Sequence, residues 1–429
     1  MKKKVSKTEF TRREKYLEVF AFYLDEQLPD RFKFAHAAFF ESNLWQRLRK
    51  LAESWVGNLW LSFKHRAGFQ PALVGQRWVV AGTRNQETSL SFLARDPRYQ
   101  LVRANFYQAR GVAWEVDWYP RPKVFYLARY LGFFWRVWRQ NPTHFAQVFH
   151  ILGHGIGMLE NHRRVLEKYR PEVIIISNDH LPWFRALTVA ARELSIPTVY
   201  LQHACVADNF PPLRNALSLL EGQDALDKYQ AHGKSITGHV ALVGMPKYEE
   251  YRTKRNVSKK LRHLGIPYNL TDDLPRITQT VTAIQARLPN IEITLRKHPR
   301  DLRPFPDELA PSVQWSDAQQ ESALEFLQYQ DVIISGESSI HLEAALMNVS
   351  SIYYSFQPGR FPVTDHYGFI ANGLIAETKG EQALLEQLAQ YEVSRPAPTD
   401  MLAYYVAPTP GSSSEERVWS EIEALLRKK

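Results

Sequence analysis

Residues 291–301 read Ile291-Glu-Ile-Thr-Leu-Arg-Lys-His-Pro-Arg-Asp301, and residues 331–346 read Asp331-Val-Ile-Ile-Ser-Gly-Glu-Ser-Ser-Ile-His-Leu-Glu-Ala-Ala-Leu346. Each begins with a strand-like run, Ile291 to Leu295 and Asp331 to Ile334. The first run ends in a cationic cluster, Arg296, Lys297 and His298. The second opens a helix with the paired hydroxyls Ser338 and Ser339, and His341 and Glu343 fall in its first turn. Free N–H groups and hydroxyls at a helix start bind phosphate, and cations on a neighbouring loop complete such a grip. Pro299 favours an extended backbone at His298, which holds the imidazole at a strand end.

Outward from these motifs the chain alternates short apolar runs with helical patterns. Glu172-Val-Ile-Ile-Ile-Ser177 reads as a strand covered on both faces, Leu181 to Leu194 as a helix, and Pro197 to Gln202 and His239 to Gly244 as further strands. Gly244-Met-Pro246 is a break suited to a domain joint. Beyond it, strands are expected over Arg262 to Tyr268 and Ser351 to Tyr354, and helices over Ile277 to Leu288, Gln319 to Gln328, Ile340 to Met347 and Lys379 to Tyr391. Ser413-Ser-Glu-Glu416 has capping-box spacing before a last helix, Val418 to Leu426. Upstream, Leu73 to Ala81 and Tyr99 to Ala104 read as strands, Thr143 to Tyr169 as one long helix, and residues 1–70 as mainly helical with aromatic clusters such as Phe32 to Phe40. The alternation implies parallel sheets with ligands at the carboxyl ends of their strands. It divides the chain into residues 1–245 and 246–429.

Polar residues at strand ends supply further candidates. Ser177-Asn-Asp-His180 and Gln202-His-Ala204 each follow a buried run, so Asp179 or His203 is a candidate base for an acceptor hydroxyl. Glu343 is a candidate partner for ribose hydroxyls, and its ordinary role is a first-turn carboxylate favourable to the helix dipole. Leu220-Glu-Gly222 and Ala231-His-Gly233 read as turns, and Gln357 to Pro362, with Arg360, as a loop over the crevice.

Composition narrows the partners. The formal net charge of +9 implies acidic company: nucleotides, nucleic acid or an anionic membrane. Tyr126 to Arg139 interleaves aromatic and cationic residues, a pattern suited to a lipid interface or to a buried helix with its arginines at a wet edge. The basic start lacks the apolar run of a signal peptide, no stretch is long enough to span a bilayer, and the single Cys205 fits a reducing cytoplasm. There is no Walker loop, HExxH helix, GxSxG elbow or dinucleotide glycine fingerprint. No metal site and no bound cofactor are expected. Nucleic-acid binding, argued from charge alone, ranks low because no recognised module is present.

His298-Pro299 and Ser338-Ser339 resemble the paired His-Pro and Ser-Ser motifs of bacterial GT-B enzymes that use cytidine-nucleotide donors. These include sialyl- and Kdo-transferases and the CDP-glycerol glycerophosphotransferases. Gln202-His203-Ala204 is similar to the Gln-His-Gly element of the last group, with alanine for glycine, and Gly244-Met245-Pro246 resembles their interdomain joint. The resemblance covers about Val173 to Ala376. It implies a GT-B fold, two Rossmann-like domains facing each other across a cleft, with the acceptor on residues 1–245 and the nucleotide donor on 246–429. It also implies a metal-independent glycosyltransferase moving a sugar from a nucleotide-sugar donor, a CMP-sugar, to a glycan or glycolipid acceptor of surface polysaccharide synthesis. His298, Ser338, Ser339 and Glu343, with Arg296 and Lys297, would hold the nucleotide. His203, Asp179 and His298 would serve catalysis, with Asp179 outside the acidic motif of the sialyltransferases. The setting implied is the cytoplasm, peripheral at the inner face of the plasma membrane. The alternatives are CDP-glycerol or CDP-ribitol phosphotransfer and, less favoured, a sugar-nucleotide epimerase of the same fold.

Overall fold

The computed structural model describes residues 11–25, 43–64, 68–104, 114–270, 272–299, 301, 303–309, 311–318, 320–356, 365–391 and 401–428. Phe32 to Phe40, Arg300 and the loop bearing Arg360 lie outside the described residues.

Among the described residues, twelve strands form two all-parallel sheets. The first holds β1 (Arg77–Ala81), β2 (Tyr99–Arg103), β3 (Val173–Ile176), β4 (Thr198–Leu201), β5 (Leu217–Leu220) and β6 (His239–Leu242), in the order β2-β1-β3-β4-β5-β6. The second holds β7 (His263–Tyr268), β8 (Glu292–Lys297), β9 (Gln314–Asp317), β10 (Val332–Ser335), β11 (Ser350–Tyr353) and β12 (Ala376–Glu377), in the order β12-β11-β10-β7-β8-β9. Counted from β7, that is the dinucleotide-fold order 3-2-1-4-5-6, and the first sheet reverses its order between β1 and β3. Each sheet therefore opens a crevice at its reversal, beyond the carboxyl ends of β1 and β3 and of β7 and β10.

The strands are short and buried on both faces, as parallel pairing requires. Every residue of β3 is buried, and its register aligns Ile174 with Trp78 on one side and with Thr198 on the other. One core fills the helical face of the first sheet, around Trp78, Trp118, Phe184 and Tyr229. A separate core around Leu264, Ile266, Val281 and Ile334 fills the second half.

Three expectations are corrected here. Thr143 to Tyr169 is two helices, Pro142–His154 and Met158–Tyr169. The chain turns at Gly157, whose φ of +76° is closed to most side chains and whose added Cβ would lie 2.6 Å from the Tyr126 ring. Secondly, the last helix, Ser414–Arg427, does not belong with the rest of 246–429. Its Val418 and Ile422 pack into the core beneath Val79, Val173 and Leu217 of the first sheet, and Glu423 pairs with Arg77 at 2.6 Å. That sheet face needed an apolar cover, and the capping box at Ser413 and Glu416 starts the helix where it reaches it. Thirdly, Gln319 to Gln328 shortens to the helix Ala323–Leu327, because Ser322 caps it through the Glu325 backbone N–H.

Candidate functional site

The strand ends of the first sheet carry Asn178 and Asp179 after β3, Gln202 and His203 after β4, and Glu221 after β5. Asn178 Oδ1 accepts from the backbone N–H groups of His180 and Leu181, which turns the chain into the helix Pro182–Glu193. Asp179 is buried and committed. Its Oδ2 accepts from the Tyr229 hydroxyl at 2.7 Å, its Oδ1 lies 3.1 Å from His180 Nδ1, and its carbonyl accepts from Arg185. Burial pushes the carboxyl up, but the His180 hydrogen bond and charge, with Tyr229 and Arg185, outweigh it and hold the group below its ordinary range. An acid so partnered is a stable anion with little appetite for a proton.

His203 is different. The side chain is half-buried, and among the described residues Nδ1 has no hydrogen-bond partner. Burial and then the charge of Lys247 push the imidazole down to about 3, so it is neutral across the physiological range. Glu221, which the sequence presents only as a turn residue, is buried just beyond β5 and interlocks with Gln202: its backbone N–H donates to Gln202 Oε1 at 2.9 Å. Burial raises its carboxyl to about 7 against the pull of Lys247.

Lys247, two residues after the β6 joint at Gly244-Met245, ties the halves together. Its Nζ lies 2.6 Å from Glu343 Oε1 and 3.4 Å from the His203 carbonyl. Burial opposes its charge, yet Glu343 and Glu221 hold the ammonium well above its ordinary value. Glu343 sits on the Ile340–Leu346 helix that the Ser-Ser motif opens, so one cation brings His203 and Glu343, 140 residues apart, into one cluster. Gly244 permits the approach: its φ is +77°, and an added Cβ would lie 2.5 Å from Ser414 Oγ.

On the second sheet the crevice lies between β7 and β10, and Gly336, Glu337, Ser338 and Ser339 follow β10 directly. Ser339 is the N-cap residue, but its hydroxyl makes no capping bond, while Ser338 Oγ accepts from the Ile340 N–H at 3.4 Å. His298 extends the sheet one residue past β8 by donating its N–H to the Tyr268 carbonyl at 3.0 Å. The two motifs are not on successive strands of the sheet. β7 lies between β8 and β10, so they stand two strand spacings apart, roughly 10 Å. Among the described residues, the Tyr268 hydroxyl at the end of β7, Asp272 Oδ1 just beyond it and Glu337 Oε2 after β10 are buried without hydrogen-bond partners, and burial lifts Asp272 to about 6 and Glu337 to about 7. Such groups are costly unless something hydrogen-bonds them.

Arg296 and Lys297 of the first motif face elsewhere. Arg296 is buried against Ser316, donates to the Glu321 carbonyl at 2.8 Å and lies over the Phe326 ring. Lys297 donates to the Arg303 carbonyl at 2.9 Å and covers Phe305. Both fasten the second sheet's edge in this structure. His341 is equally occupied, with Nε2 2.8 Å from the Gly336 carbonyl and Nδ1 on Ser351. Among the described residues, no three His, Cys, Asp or Glu side chains are grouped to hold a metal ion.

Signals for the missed residues existed. Glu337 lies inside the quoted motif, Lys247 directly follows the joint, and Glu221 follows the leucine-rich run Leu217-Ser-Leu-Leu220.

No family model matches the sequence, and no curated protein matches it. Solved structures do match in shape. The wall teichoic acid polymerase TagF aligns with a TM-score of 0.52 at 10% identity, over 89% of this chain and 98% of its own. The fold is GT-B. UDP-GlcNAc 2-epimerase of Methanocaldococcus jannaschii, solved with UDP-GlcNAc and UDP, aligns with a TM-score of 0.50 at 12% identity, over 81% of this chain and 99% of its own. The calicheamicin glycosyltransferase CalG4 gives 0.50 at 12% identity, over 82% and 98%. At these identities the likeness concerns the fold.

Proposed function

We propose that this protein is a GT-B glycosyltransferase that moves a sugar from a nucleotide donor, a CMP-sugar, to a hydroxyl of a surface polysaccharide or glycolipid. The observation that carries the reading is the junction at Lys247, where the acceptor-side strand ends meet the helix opened by Ser338 and Ser339. In this reading the nucleotide lies across the β7–β10 crevice. The hydroxyls of Ser338 and Ser339 and the imidazole of His298 receive its phosphate, and the unpartnered oxygens of Tyr268, Asp272 and Glu337 meet its hydroxyl and amino groups. The acceptor oxygen attacks the anomeric carbon as the bond from that carbon to the phosphate oxygen breaks. The nucleotide leaves with the electron pair, stabilised by Lys247, His298 and the serines. The acceptor proton passes to His203, whose imidazole is neutral and whose basicity rises once an anionic phosphate offsets the Lys247 charge. Asp179 holds His180 and Tyr229 in place instead. The reaction needs no bound cofactor beyond the nucleotide-sugar itself.

A second reading is polyol-phosphate transfer from CDP-glycerol or CDP-ribitol. It is favoured by His203 at the junction within Gln202-His203-Ala204 and by the extent of the TagF alignment. Titration calorimetry with CMP, CDP, UDP and GDP tests the donor site shared by both. Selective binding of a cytidine nucleotide is expected, weakened at least about tenfold by His298→Ala combined with Ser339→Ala, since a hydrogen bond to a charged group is worth about 1.5–3 kcal/mol. Absence of binding by all four, or binding unchanged in the double variant, refutes the donor site. Product analysis then separates sugar from polyol-phosphate transfer.

A further inference from the structure

Two helices outside the cleft expose apolar stripes. Leu44–Lys64 packs inward through Arg47, Leu51, Ser54, Trp55 and Asn58: Arg47 donates to the Ala146 carbonyl, Ser54 meets His154 and Trp55 donates to the Gly153 carbonyl. On the opposite side stand Trp45, Leu48, Val56, Leu59 and Trp60, at helical spacing, with Trp45 80% and Val56 68% exposed. Leu127–Gln140 repeats the arrangement. Tyr130, Phe133 and Val137 are buried, whereas Leu131, Trp135 and Trp138 face out, Trp135 at 60%. The stripes approach each other at the turn Lys123–Tyr126: Lys123 donates its N–H to Asn58 and its ammonium to Ser54, and Val124 and Phe125 stand exposed beside it.

The charge around this face is predominantly positive. Leu127–Gln140 contains Arg129, Arg136 and Arg139 and no acidic residue. Leu44–Lys64 has one acid, Glu53, paired with Arg49. Behind Tyr126 lies a cavity of about 240 Å³ lined by Arg121, Arg164 and Lys168, with Asp117 as its acidic member. Arg164 donates to the Tyr126 hydroxyl. No helix among the described residues is long and apolar enough to cross a membrane.

We infer that this face lies on an anionic phospholipid bilayer, with both helices in the interfacial plane. Indole rings suit the headgroup level, and the flanking arginines meet lipid phosphates. A protein partner would need a matching apolar groove rimmed by acids, whereas a bilayer satisfies a long, mainly basic stripe of exposed apolar side chains without shape matching. Docking here would hold the first domain, and with it the acceptor side of the cleft, at the surface where a lipid-linked hydroxyl is presented. That consequence rests on the proposed function; the docking does not.

The test is co-sedimentation of the full chain with vesicles of phosphatidylcholine alone and of phosphatidylcholine with phosphatidylglycerol, with tryptophan emission recorded. Binding to the anionic vesicles is expected, weakened by salt and accompanied by a blue shift. Arg136→Glu with Arg139→Glu should weaken partitioning at least about tenfold, since each surface cation is worth roughly fivefold. Trp135→Glu with Trp138→Glu should lose at least about tenfold, the scale of withdrawing one large apolar side chain. Far-ultraviolet circular dichroism and nucleotide titration confirm that the variants keep their fold. The inference is overturned if wild-type protein stays in solution with anionic vesicles or if the folded variants bind as well as wild type. It is equally overturned if the protein forms a dimer that Trp135→Glu dissociates, for then the face is a self-association surface.

Discussion

Replacing Glu221 by Gln removes a buried acid whose protonation the fold controls. The side chain is 2% exposed, and burial lifts its carboxyl from the ordinary 4.5 to about 7, with Lys247 pulling down and Glu343 pushing up. Each tenfold change in proton affinity corresponds to about 1.4 kcal/mol, so the folded state disfavours the charged form by about 3 kcal/mol. The sign follows from proton counting. Between pH 4.5 and 7 the folded chain holds a proton that the unfolded chain has released, so stability falls as pH rises through this window. The contribution is complete below pH 4.5 and lost above about 7. Gln imitates the protonated acid, keeping a hydrogen-bonding group beside Gln202 and leaving Lys247 with Glu343. Wild type and Glu221→Gln should therefore have similar urea midpoints near pH 4.5, while at pH 8 the variant should be more stable by up to about 3 kcal/mol. Asp272 and Glu337 also lose stability with rising pH, but they do so in both proteins and cancel in the comparison. A difference that is the same at both pH values, or a variant less stable at pH 8, would refute the assignment of Glu221 as a buried, uncompensated acid.

Arg296→Met should lower stability by about 1–3 kcal/mol in urea unfolding, because it strips the donors from Ser316 and Glu321 at a partly exposed edge. Nucleotide affinity should stay within about twofold, since the guanidinium faces away from the crevice; a selective loss of affinity would put Arg296 back on the phosphate. Gly244→Ala should cost about 2–4 kcal/mol, combining a left-handed backbone with a Cβ forced against Ser414 and the Ala407 carbonyl, read as a lowered thermal midpoint. His203→Gln should abolish transfer while leaving nucleotide affinity within about threefold, and transfer at wild-type rate would remove His203 from the proton path.

The fold was legible because both sheets are parallel and doubly covered. Val173 to Ile176 and Val332 to Ile334 are uninterrupted apolar runs, as strands buried on both faces require. Less could be read where local pattern and tertiary role diverge. β5 is only four residues, Leu217 to Leu220, and without it Glu221 looks like a turn residue rather than the end of a strand facing the cleft. β7 is expected, over Arg262 to Tyr268, but β9, Gln314-Trp-Ser-Asp317, is too polar to announce itself, so β8 and β10 read as successive strands and nothing local shows that β7 lies between them. Arg296 and Lys297 matched a phosphate grip by composition. Strand alternation turns one of them onto Glu321 and the other onto Phe305, and alternation is visible only once the register is known.

From sequence alone came the chemistry available: a Ser-Ser helix start, a His-Pro strand end, a basic and aromatic surface, and the period of a two-sheet α/β chain. Those are properties of neighbours in the chain, and local spacing encodes them. Tertiary structure alone decided which side chains are committed and which are poised. Burial and the single ammonium of Lys247 set the protonation of Glu221 and His203, and strand order set the distance between the two motifs. Desolvation and long-range pairing depend on what residues far apart in sequence place around a group, and no local pattern carries that information.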